Sequence, residues 1–244
     1  SQTADENREI LKHLTQRSPR IAFNVDLIYG LPFQSLLEWQ KDLEEALEFH
    51  PAHLSIYNLT LHPMVPIARF SRSHPAVFPD PEREALMFQW TMDRLSDAGY
   101  IHYEISNFAF PGHEARHNLA YWRNDNTLGL GLGAWSFLDG VRERNAKHFC
   151  HYLAMIENNL NPAVFRERLM PEQGARETFF LALRTNRGAD LNLILESTAG
   201  DPSILWRKAE NLQSGGFINI AGSMIFLTRK GILVANQVIQ ELID

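Results

Sequence analysis

The stretch "RIAFNVDLIYGLPFQSLLEWQKDLEEALEFHPAHLSIYNLT", Arg20 to Thr60, decides the fold. Its opening run, "RIAFNVDLIYG", is almost continuously apolar and rich in β-branched and aromatic residues. That is the pattern of a buried parallel strand, and "GLP" ends it in a loop. Ser35, followed three residues later by Glu38, is the capping-box signature of a helix start. Leu36, Trp39, Leu43 and Leu47 then recur at helical spacing and give the helix one apolar face. "AHLSIYNLTL" reads as a second short strand. Strand, helix and strand in that order predict parallel pairing through a right-handed crossover, and so an α/β architecture.

Before this unit, residues 4–16 read as a helix with Ile10, Leu11 and Leu14 on one face. After it, "HPMVPIARFSRSHPAVFPDP" carries too many prolines for regular structure and reads as a loop. Asp80 and Pro81 suit the N-cap and first position of another helix, which runs to about Ala98 and is closed by Gly99. "YIHYEISNFA" is a third strand candidate. "TLGLGLGAWSFLDG" alternates glycine with leucine before a tight turn at Asp139-Gly140, and a helix follows over about 147–158. "NLNPAVFRERLMPEQ" is the expected boundary between a domain of residues 1–165 and one of 166–244. In the latter, three helical segments (about 171–185, 190–197 and 201–214) precede two short strands in "GFINIAGSMIFLT" and a last helix over about 229–242, a winged-helix-like α+β module.

Composition narrows the function classes. The 244 residues are 45% hydrophobic and 11% aromatic, enough for a sizeable core, and 21% charged without low-complexity runs, which argues against disorder. A net charge of -6 gives no electrostatic reason to expect nucleic acid or an anionic membrane. A winged-helix-like shape suggests DNA, yet residues 171–244 hold seven Lys/Arg against eight Asp/Glu, and phosphate contacts supply most non-specific affinity. No apolar stretch approaches a membrane span, and the polar start "SQTADENREI" is unlike a secretory signal. Cys150 is the single cysteine, which excludes an internal disulfide framework and a cysteine-cluster metal site within this chain. The expectation is a soluble protein of a reducing compartment, the cytoplasm.

In parallel α/β architectures ligands bind at the carboxyl ends of the strands. Asp26 lies inside the apolar run, a few residues before its strand ends. A carboxylate in a buried strand is costly unless something hydrogen-bonds to it; the partner is either a ligand amine or hydroxyl, or a neighbouring strand or lysine. Asn58 and Thr60 are polar groups at the equivalent height of the next strand. The second place is "HYEISNFAFPGHEARHNLAYW", His102 to Trp122. His113 and His117 are four apart, so on a helix they would share a face suited to a metal or a haem iron. Solvated residues on a polar loop are the other reading. Phe108, Tyr121 and Trp122 offer apolar faces for a flat aromatic cofactor.

Taken in order, "NVDLIYGLP", "HLSIYNLT", "YEISNFA", "RHNLAYW" and "LGLGLGAWS" are similar to the oxygen-independent coproporphyrinogen III oxidase-like group of radical SAM proteins, and most of all to its haem-chaperone branch. The resemblance extends through "RETFFLALRTNRGADL" to "LTRKGILVANQVIQEL" and covers nearly the whole chain from about Phe23. It implies the C-terminal part of a partial TIM-type barrel that holds S-adenosylmethionine and a [4Fe–4S] cluster, followed by the small terminal domain. Asp26, Ile28, Thr60 and Trp135 then match positions that contact S-adenosylmethionine. His117, Asn118 and Tyr121 match a haem-binding His-Asn-x-x-Tyr motif, with His117 the axial donor.

Two departures qualify this. The CxxxCxxC motif that carries the cluster in the family is absent, and one cysteine cannot supply the three or four thiolates that a cluster needs. Radical chemistry is therefore outside the reach of this polypeptide alone, and the C-terminal portion of a longer protein is the expectation. Trp135 also stands where the haem-chaperone branch has histidine. The resemblance implies binding and delivery of haem to an accepting protein, which a membrane-associated acceptor would fit. The alternatives are a tetrapyrrole-modifying radical SAM enzyme, when full length, and a protein-interaction module.

Overall fold

The computed structural model describes residues 3–17, 21–197 and 201–243. They pack as two compact units that divide between Ala115 and Arg116.

The first unit opens with α1 (Ala4–Thr15), whose Thr3 and Glu6 form a capping box. Strand β1 (Asn24–Tyr29), helix α2 (Leu36–Leu47) and strand β2 (His53–Asn58) follow in the expected order. The two strands are parallel, in register from Asn24 opposite His53 to Tyr29 opposite Asn58. Ser35 and Glu38 form the second capping box, and α2 buries Trp39, Leu43, Ala46 and Leu47. Asp80 caps α4 (Pro81–Asp97) through the Arg83 amide at 2.8 Å. Trp39 donates its indole N–H to Thr91 Oγ1 at 2.8 Å and so joins α2 to α4.

Two expectations are corrected here. The proline-rich stretch holds α3 (Pro66–Ser73), with Pro66 at its first turn, where the missing N–H costs nothing. "YIHYEISNFA" is a hairpin: β3 (Ile101–Glu104) turns through Ile105 and Ser106 into β4 (Asn107–Ala109). The sheet order is β1-β2-β4-β3, with only the first pair parallel. The turn contains no glycine or proline, so nothing punctuates it in the sequence.

The sheet has two unlike faces. Tyr29, Trp39, Phe88 and Phe108 stack into one aromatic cluster on the helix side, with ring centroids 5.6 to 6.5 Å apart. Residues out of phase with these, Asn24, Asp26 and Ile28 of β1 and His53, Ser55 and Tyr57 of β2, line the opposite face.

The second unit starts with α5 (Arg116–Trp122). A three-stranded antiparallel sheet follows: β5 (Trp135–Leu138), β6 (Val141–Asn145) and β7 (Ala163–Arg168), with α6 (Phe149–Glu157) between the last two. Asp139 and Gly140 make the β5–β6 turn at φ values of 49° and 75°, as the Asp-Gly pair predicts. The stretch expected as a boundary contains β7, so position 165/166 falls within a strand paired to β6. Then come α7 (Pro171–Leu183), β8 (Ala189–Asp190), α8 (Asn192–Ser197), α9 (Pro202–Ser214), β9 (Ile218–Ala221), β10 (Met224–Leu227), α10 (Arg229–Leu233) and α11 (Ala235–Ile243). Three helices around a β8-β10-β9 sheet make the expected winged-helix-like module, with the last helix broken in two. Its core includes Phe179, Leu183, Leu191, Ile218, Ile225 and Ile239.

Candidate functional site

The polar face of the first sheet is a connected hydrogen-bond chain. Asn24 Nδ2 donates to Asp26 Oδ1 at 2.5 Å and to Ser55 Oγ at 3.1 Å. Asn24 Oδ1 lies 2.6 Å from His53 Nδ1, and His53 Nε2 lies 2.7 Å from the Tyr103 hydroxyl. That hydroxyl accepts the Ala115 amide at 3.3 Å. His53 is buried. Burial lowers its pKa, against the opposing pull of Asp26 and Glu114, so the imidazole is held neutral. Burial likewise pushes the Tyr103 phenol up to about 12. Glu104, also buried, is bonded by the Asn107 side chain and by the Ser106 amide at 3.2 Å.

Asp26 was expected to be buried and is exposed, as is Ile28. The reason is position: β1 ends the sheet, with β2 on one side and no described strand on the other. Along that open edge, between α1 and α2, runs a hollow of about 650 Å³ lined by Asp26, Ile28, Leu11, Leu14, Trp39 and Asp42, among others. That volume lies within the range of small-molecule sites. Thr60 is exposed just beyond β2, its hydroxyl 3.5 Å from the Asn58 carbonyl.

In the second unit, His117 and Tyr121 are both exposed on α5, their rings edge-to-face with centroids 4.8 Å apart. Among the described residues no group hydrogen-bonds to the His117 ring. Asn118 is half-buried beside it. His113 precedes α5 and shares no helix face with His117, which removes the paired-histidine reading. Phe108 is sealed in the first unit's core and offers no face to a ligand. Trp122 is half-buried under the Arg184 guanidinium, at 5.3 Å.

Trp135 opens β5 with its ring exposed. It meets Phe165 edge-on at 5.5 Å, and Arg144 lies 5.3 Å from its ring centroid. Trp135 and Tyr121 line one small cleft of about 180 Å³, together with Arg142 and Glu177, which form an ion pair.

Sequence reasoning missed His53, Asn24 and Tyr103. A signal was there: polar residues recur at every second position in "NVD" and "HLS", hidden inside runs that read as wholly apolar. Arg144 and Phe165 carried no signal, because only strand register brings them to Trp135.

Residues 169–234 match the family model described as the HemN C-terminal domain. The solved structure of coproporphyrinogen III oxidase (HemN) from Escherichia coli, described as a radical SAM enzyme, superposes with a TM-score of 0.78 at 21% identity, covering 100% of this chain and 59% of that one. At that identity the likeness shows the fold alone: the chain has the α/β architecture of 59% of that structure.

Curated relatives narrow it. The heme chaperone HemW of Synechocystis is 38% identical over 168 residues, 68% of this chain and 41% of that protein. The heme chaperone HemW of Bacillus subtilis is 31% identical over 231 residues, 91% of this chain and 60% of that protein. Escherichia coli HemW is 42% identical over 129 residues, 52% of this chain and 33% of that protein. The chain belongs to the HemW-like family. It spans 33% to 60% of the length of these three relatives.

Proposed function

We propose that this chain is the haem-binding part of a haem chaperone, which takes up haem and passes it to an acceptor protein, a membrane-associated one among the candidates. The observation that carries the reading is the His117–Tyr121 pair on the open side of α5, in the order His-Asn-x-x-Tyr. An imidazole with no hydrogen-bond partner is available as an axial donor to iron. The Tyr121 ring fixes one side of it and leaves the other for the macrocycle. Asn118 lies between them in sequence and completes the motif. The relatives named heme chaperone HemW support the same reading.

Asp26, Ile28 and Thr60 are assigned to S-adenosylmethionine. The carboxylate and the isoleucine line the hollow along β1, whose size suits that ligand. Asp26 is placed to accept from an amine or a hydroxyl, and Asn24 orients it. The [4Fe–4S] cluster does not fit this chain. There is one cysteine, and no group of three or more His, Cys, Asp or Glu side chains poised for a metal exists among the described residues. Its thiolates must come from outside these 244 residues. Cys150 is exposed and free, which suits a reducing cytoplasm. No helix among the described residues is long and apolar enough to cross a membrane.

Titration of ferric haem into the intact chain tests the proposal. A red-shifted, sharpened Soret band is expected, and it is lost in His117→Ala. An unchanged spectrum in that variant overturns the assignment.

A further inference from the structure

The β5–β6–β7 sheet carries a feature that haem ligation by His117 does not use. Strand register sets Trp135 opposite Arg144, and Arg144 opposite Phe165, so the three form one row across one face of the sheet. The Trp135 and Phe165 rings lean together over the guanidinium, whose Cζ is 5.3 Å and 5.8 Å from their centroids. Both rings remain open to solvent, at 44% and 38% exposure.

The charge between them is not balanced. Arg142 pairs with Glu177, and Arg166 pairs with Glu143. Arg144 has no carboxylate partner among the described residues, and its Nε is buried without a hydrogen-bond partner. Where the rings cover it, the Arg144 guanidinium gains from cation–π contact. It still lacks the planar, two-oxygen acceptor that its fork of donors fits best.

We propose that the Trp135–Arg144–Phe165 row is a docking face for a flat, carboxylate-bearing macrocycle, in which the rings take its face or edge and Arg144 takes a carboxylate. This deepens the haem reading and rests on it for the identity of the macrocycle as a tetrapyrrole. Trp135 shares the cleft at Tyr121, so the row adjoins the motif on α5. At about 180 Å³ that cleft is smaller than the roughly 300 Å³ at which ligand pockets begin. The macrocycle therefore lies across the surface of the sheet, and the cleft admits no more than a substituent. The same assignment gives Trp135 a use on the cargo side.

The test uses iron-free mesoporphyrin, which His117 cannot ligate, and its dimethyl ester, both titrated into the intact chain and followed by tryptophan quenching. The diacid is expected to bind at least about tenfold more tightly than the ester, the factor that one lost charge-assisted bond corresponds to. Arg144→Gln should bring the diacid down to the level of the ester. Trp135→Ala should weaken both. Equal affinity of diacid and ester for the unaltered chain overturns the proposal, with no variant needed. A missing Soret response to haem, beside intact diacid preference, sinks the axial-ligand reading and leaves the Arg144 face standing.

Discussion

His53 Nε2 lies 2.7 Å from the Tyr103 hydroxyl although their strands, β2 and β3, are separated in the sheet by β4. The bond passes over the polar face and carries on to Asn24 at one end and the Ala115 amide at the other. Asp26 and the residue that immediately precedes α5 are thereby tied to one chain of side chains.

His53→Phe is expected to destabilise the protein by about 1–3 kcal/mol, because Asn24 and Tyr103 lose a buried partner. Tyr103→Phe should cost less, about 1 kcal/mol. Urea midpoints of the two variants and of their double mutant check this. If the pair acts as a unit, the double mutant is less destabilised than the sum of the singles.

Acid should weaken the fold through the same histidine. The His53 pKa is lower folded than unfolded, since burial disfavours its charged form. Between the two values the unfolded chain binds more protons, so stability falls as the pH drops below about 6.5, the ordinary histidine value. One proton sets a slope no steeper than about 1.4 kcal/mol per pH unit. Unfolding free energies measured from pH 8 to pH 5 should show this loss, and His53→Gln should reduce it.

Thr91→Val removes the acceptor of the Trp39 indole N–H while keeping the shape of the side chain. Trp39 is 1% exposed, so no water replaces the lost partner. A cost of about 1–3 kcal/mol is expected in thermal or urea unfolding.

Two glycines of the C-terminal module should respond in opposite directions. A β-carbon on Gly231 would sit 1.9 Å from the Phe217 carbonyl oxygen, which belongs to the backbone and cannot step aside. Gly231→Ala should destabilise by roughly 1–3 kcal/mol or more. Gly174 lies within α7 with open space around it, so Gly174→Ala should stabilise by about 0.5–1 kcal/mol. Paired thermal melts decide both.

The architecture was legible wherever local chemistry and burial agree. The Ser35–Glu38 box, the Asp80 cap and the Asp139-Gly140 turn were read from single residues whose hydrogen-bonding or backbone needs admit few alternatives. The α3 helix was missed because prolines usually break helices, yet Pro66 stands at the one turn that tolerates it. The hairpin over 101–109 was missed because its turn has no distinctive residue. Among the candidate site residues, His117 and Tyr121 were paired by the resemblance to a family motif, while the four-residue spacing of His113 and His117 misled, because α5 begins only at Arg116. Arg144 and Phe165 could not be read, since only cross-strand register makes them neighbours.

Among the described residues no strand pairs with the outer flank of β1, which has a consequence for how the first unit opens. In a parallel pair, successive peptide groups point alternately toward the partner and away from it, so only every second amide of Asn24–Tyr29 is engaged with β2. Deuterium uptake should therefore alternate along β1, slow and fast, while β2, flanked on both sides, exchanges slowly. With so few bonds to undo, β1 can peel away before the β2-β4-β3 remainder yields. The stability of the Asp26 side of the hollow would then be that of a local opening and lower than that of the whole fold.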